Sequence, residues 1–215
     1  MAAPACDQYS DALSRIKKLV VTEQAAVDLR RYLSSYRGAQ FDRFTDRLVV
    51  DEFTAADFRA VGELGVNVLH TARQWLLGKG RAQVQQLLRD IPADLDIWEV
   101  PADSFDSGLG PDSPAWRLWQ IISDLQDGAG FAGKYVTASK LLHGKRPRLI
   151  PIYDRNGIGE ALDVSHRDIW EAMWCALGDP EIRQSLLDLQ AEVNDAADLS
   201  LLRVLDIVLW MSVMS

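Results

Sequence analysis

The chain is poor in the residues that build compact, reactive sites. Its 215 residues include two cysteines and three histidines: Cys6, Cys175, His70, His143 and His166. Neither set has the spacing of a zinc site or a redox pair. No metal and no cofactor is therefore expected, and the thiols are expected to stand apart, one terminal and one buried, with no disulfide staple. No apolar run approaches the roughly 20 residues that cross a bilayer. The opening Met-Ala-Ala-Pro-Ala-Cys-Asp lacks the charged head and apolar centre of a signal peptide, so a soluble, cytoplasmic protein with no membrane partner is expected. Positive charge is short overall. A net charge of -8 opposes non-specific attraction to nucleic acid across the whole surface.

What is present is a globular composition, 48% hydrophobic and 25% charged, with helical periodicity nearly throughout. Tyr9, Leu13, Ile16 and Leu19 recur at helical intervals, and Thr22 reads as the N-cap of a helix carrying Ala26, Leu29 and Leu33. Tyr36-Arg-Gly-Ala-Gln-Phe reads as a turn followed by aromatics. Residues 45–53 read as a short strand or an extended connector. Thr54 and Asp57 form a near-miss capping box for a helix through Phe58, Val61 and Leu64. Two more helices, Leu69–Leu77 and Arg81–Ile91, break at Gly78-Lys-Gly80. Ser113-Pro114 and Asp179-Pro180 are helix starts. Further helices run from near Ser165 to Gly178 and from about Ser200 to Val213, the last apolar on most faces.

The fold class is all-α, with at most two short strands. Residues 92–113 hold six acids, three prolines and no base. The chain is thus a single α-helical domain, or two lobes (1–91 and 114–215) joined by this acidic loop.

The centre of interest is Lys134 to Asp154. From Lys134 to Arg155 there are six cations and one anion, a segment of +5 that leaves -13 on the rest. Tyr135, Ala138, Leu141 and Leu142 share one helical face. Gly144 suits the C-cap, and Pro147 and Pro151 force an extended crossover that sets Asp154 at the mouth of the next helix, near Gly157 to Leu162. There Asp154 can serve as a cap. Lys145, Arg146 and Arg148, clustered around a proline, make a rigid cationic edge for phosphate or an acidic partner, or simply a solvated helix end. His143, beside that turn, reads as a solvated helix-end histidine or a proton carrier.

The stretch VTASKLLHGKRPRLIPIYDRN resembles the signature of a bacterial domain family of unknown function, and YRGAQF and the TAADF helix agree with its N-terminal half. A more distant resemblance is to helix-hairpin-helix DNA glycosylases, in which a Thr-Ala helix start is followed by an apolar-Pro-apolar-apolar-Asp loop. Thr137-Ala138 and Pro151-Ile-Tyr-Asp154 occupy those places here. The resemblance implies a glycosylase-like helical fold and hydrolase chemistry in which Asp154 stabilises positive charge on a sugar after a base is extruded. Val136 stands where bifunctional members carry a nucleophilic lysine, so no Schiff base is expected.

The expected catalytic groups are accordingly Asp154, Lys140 and His143. The expected contacts to a nucleic acid or nucleotide are Lys134, Lys145, Arg146, Arg148, Tyr153, Arg155 and Asn156. The alternatives are a non-enzymatic protein whose basic edge meets an acidic protein partner, or an enzyme on a small metabolite using the same cleft. Trp116, Trp119, Trp170, Trp174 and Trp210 read as core, and Trp75 or Trp98 as pocket-lining.

Overall fold

A computed structural model describes residues 6–45, 49–128 and 131–214. Among these, every regular element is helical. The first helix, α1 (Ser10–Val20), follows a 3-10 turn, Cys6–Tyr9. The Thr22 hydroxyl then accepts from the Ala25 N–H at 3.1 Å and opens α2 (Glu23–Ser35). The turn at 36–38 leads into α3 (Ala39–Thr45), a helix where only a turn and aromatics were expected; it forms because Phe41 can bury one face. The N-terminal residues 1–5 and positions 46–48 of the expected strand lie outside the described residues.

Residues 49–53 make a turn instead of a strand. The reason is that Lys145 and Arg146 donate to the carbonyls of Val49 and Val50, the groups a strand would need for pairing. Next comes α4 (Ala55–Glu63), whose capping box is complete: the Thr54 N–H donates to the Asp57 carboxylate at 2.7 Å. The pair α5 (His70–Leu77) and α6 (Arg81–Asp90) follows. The acidic segment is folded into two 3-10 turns and α7 (Phe105–Gly108). It docks through the Ile97 N–H to the Arg148 carbonyl at 3.0 Å, the Trp174 indole to the Val100 carbonyl at 2.9 Å, and Phe105 against Trp174.

Ser113 caps α8 (Pro114–Leu125), which pairs in a hairpin with α9 (Phe131–His143). Gly128 in the connecting turn has φ +108°, a conformation that favours glycine; the turn residues 129–130 lie outside the described residues. After the crossover, Asp154 opens a single π-helical turn, Arg155–Gly159, and only then α10 (Glu160–Leu162), so the expected regular helix is short and widened. The remaining helices are α11 (Ile169–Gly178), α12 (Pro180–Glu192) and α13 (Leu201–Met214).

Every residue of α13 from Leu201 to Leu209 is buried. This follows from its nearly continuous apolar sequence, and α2, α12 and the π turn pack around it. Buried side chains from both sides of the acidic segment join one hydrophobic cluster. No helix among the described residues is long and apolar enough to cross a membrane.

The cysteines are not separate thiols. Cys6 and Cys175 form a disulfide, because the N-terminal turn lies against α11, an encounter 169 residues apart in sequence. A closure of that length restricts the unfolded chain by an amount worth about 5 kcal/mol in the loop-entropy account.

Candidate functional site

The expected cationic edge at residues 145–148 is broken up, because Lys145 and Arg146 turn inward and leave Arg148 half-exposed. Lys145 is wholly buried in an ion pair with Asp57 and donates to the Val49 carbonyl at 2.8 Å; burial pulls its amine below the ordinary lysine range, against the pull of Asp57. Arg146, also buried, donates to the carbonyls of Ile91 at 2.8 Å, Val50 at 3.0 Å and Leu88, and pairs with Asp51 at 2.7 Å. It therefore satisfies the carbonyl end of α6, the end that favours positive charge. Arg148 is half-exposed and bound to Asp96 of the acidic segment. Lys134 pairs with Asp127 at 3.2 Å.

His143 is also inside, not a solvated helix-end residue. Its Nδ1–H donates to the Ile150 carbonyl at 2.7 Å, and burial, with Arg203 nearby, pushes its pKa down to about 3. Tyr153 is buried in the crossover, whereas Arg155 and Asn156 are exposed.

Two of the expected catalytic residues do meet at an opening. The Lys140 ammonium donates to Asp154 Oδ2 at 3.1 Å and to the Leu64 carbonyl at 3.0 Å. The other Asp154 oxygen accepts from the Asn156 N–H at 3.3 Å, so the carboxylate is both a helix cap and half of an ion pair. It keeps 23% of its side chain exposed, against 8% for Lys140. Both line a cavity of about 270 Å³. Tyr32, Tyr36 and Trp210 form one wall, with ring centroids 5.4 Å apart for Tyr32–Tyr36 and 4.7 Å for Tyr36–Trp210. Burial, and then the charge of Asp154, holds the Tyr36 phenol above its ordinary range.

The cavity's inner end is a charged cluster that sequence reasoning missed. Arg203 grips Asp42 with two N–H groups, at 2.7 and 3.2 Å, and donates to Asp206 Oδ2 at 2.5 Å and to the Tyr32 hydroxyl at 2.7 Å. Asp206 is 2% exposed. Burial, with Asp42 adding to it and Arg203 opposing, lifts its pKa to about 7. The signal was present in the sequence: Arg203 and Asp206 are one helical turn apart in a helix that is apolar on most faces, where unpartnered charges are too costly to bury. Trp210, expected in the core, faces this cavity instead.

Among the described residues no three His, Cys, Asp or Glu side chains gather as metal ligands would.

A model described as "Family of unknown function (DUF6308)" matches residues 25–213. The chain belongs to that family. The DUF6308 match takes in every cavity residue named above and the whole Lys134–Asp154 stretch, and it excludes Cys6. No curated protein and no solved structure matches the chain, so membership of DUF6308 brings no activity with it, and the cavity has to be read from its own chemistry.

Proposed function

We propose that this DUF6308 protein binds a small organic molecule in the cavity beside Asp154, with Asp154 as the carboxylate that meets it. The observation that carries the reading is the combination of an aromatic wall, a charged inner end and one partly exposed carboxylate around about 270 Å³. Binding sites for small molecules combine apolar walls with a few convergent polar groups in this way. Five of the six cations of the central stretch are committed to carboxylates of the same chain, which favours a small ligand over a nucleic-acid strand. It also weighs against a docking edge for an acidic protein.

The glycosylase resemblance contributes a sharper form of the same proposal, in which the ligand is a nucleoside and Asp154 stabilises positive charge on its sugar. Titration calorimetry across nucleosides, nucleotides, amines and amino acids tests the reading. Saturable binding by the wild type, lost in Asp154→Asn with little change in melting, is the expected result. Binding to duplex or single-stranded DNA alone, with a steep salt dependence, would overturn it.

A further inference from the structure

Asp206 presents an anomaly. It is 2% exposed and its Oδ2 is occupied by Arg203, yet its Oδ1 has no hydrogen-bond partner. Buried acceptors are nearly always satisfied, and an exception calls for an explanation. The residue also lines the cavity beside Asp154.

Burial favours the neutral form of Asp206, so a cation seated beside it would draw out the ionised carboxylate, whereas an anion would oppose it. Lys140 pairs with Asp154, and Arg203 is shared between Asp42 and Asp206. The cations are spent: Arg203 uses four of its N–H groups on Asp42, Asp206 and Tyr32, and Lys140 is held by Asp154 and the Leu64 carbonyl. An incoming anion would find few donors to receive it. An incoming cation would find an acceptor in need of a donor and the faces of Trp210 and Tyr36, which attract positive charge.

Resting on the reading of this cavity as a ligand site, we propose that it selects a small planar organic cation of the amidinium or aryl-ammonium class, whose N–H donates to Asp206 and whose ring lies on the Tyr36–Trp210 wall. The space fits that class, since a cavity of about 150 Å³ already holds benzene and this one offers about 270 Å³.

Three probes of nearly identical shape test it: benzamidine, benzamide and benzoate, which are cationic, neutral and anionic. Binding is read by calorimetry and by the indole N–H resonance of Trp210, assigned with Trp210→Phe. Benzamidine is expected to bind at least tenfold more tightly than benzamide, with benzoate weakest, and Asp206→Asn is expected to erase the advantage of benzamidine. Should Asp206→Asn fail to fold, the wild-type ranking decides alone. If benzamide or benzoate shifts the Trp210 signal as well as benzamidine does, the cation class falls while the cavity stands as a ligand site. If none of the three moves that signal at millimolar concentration, the aryl-cation proposal falls, and the calorimetry across nucleosides, nucleotides, amines and amino acids decides the ligand-site reading separately.

Discussion

Lys140 and Lys145 lie on the same helix and turn, and each pairs with an aspartate. The Lys145–Asp57 pair is sealed, with side chains 0% and 2% exposed. It joins the basic turn to the capping box of α4. The Lys140–Asp154 pair borders a cavity and keeps part of its carboxylate in reach of solvent. The residue types are the same, so burial assigns the roles. A sealed pair acts as a structural rivet, because removing one partner strands the other charge in a poor solvent. A half-open pair can exchange one contact for a ligand at modest cost.

The largest expected effect breaks the sealed side. Lys145→Ala leaves Asp57 buried and uncompensated and is expected to cost about 3–5 kcal/mol, read by urea denaturation. An equal loss from Lys140→Ala would erase the distinction between the two pairs.

The pH dependence comes next and has opposite signs in the two regions. His143, neutral in the sealed region with its pKa near 3, contributes stability above the ordinary histidine range that is lost as pH falls through about 3. The effect is on the order of 4 kcal/mol, and a His143→Gln variant should show a flatter acid limb. Asp206, at the cavity with its pKa near 7, contributes stability below the ordinary carboxylate range that is lost as pH rises through 7, again on the order of 4 kcal/mol. Denaturation of Asp206→Asn between pH 4 and 7 should lack that decline. A variant matching wild type across the window would show that Asp206 titrates normally.

Smaller effects sharpen the cavity side. A Cβ at Gly157 would lie 2.6 Å from the Trp210 ring, so Gly157→Ala should displace the indole. About 1–3 kcal/mol of overpacking would accompany a clear loss of ligand affinity by calorimetry. Asp154→Asn weakens both cap and ion pair and is expected to cost about 1 kcal/mol, with binding lost. A much larger melting change would mark Asp154 as purely structural.

Local chemistry was legible in the sequence. Thr22, Thr54 with Asp57, Ser113-Pro114 and Asp179-Pro180 all act as caps where residue type and neighbours indicate, because a cap is decided within four residues. The fate of the basic turn was not legible. Its partners Asp51, Asp57 and Asp96 lie some 50 to 95 positions away, and no periodicity encodes which distant acid meets which base. The same holds for the Cys6–Cys175 disulfide, and for Tyr32 and Asp42, which reach Arg203 from the other end of the chain. Asp154 was legible because it stands at a helix mouth just after Pro147 and Pro151, a local signature. The aromatic wall opposite it is assembled from two distant stretches, the end of α2 and α13.

The placement of Arg203 and Asp206 in α13 has a consequence for biosynthesis. Synthesis runs from the amino end, so Tyr32, Tyr36 and Asp42 leave the ribosome while the helix that completes their surroundings is still untranslated. During that interval Asp42 has no guanidinium to grip, and the groove between α2 and the crossover lacks the indole of Trp210. The recognition proposed above would thus be a late event in the making of this molecule, since a nascent chain halted before residue 200 lacks Arg203, Asp206 and Trp210.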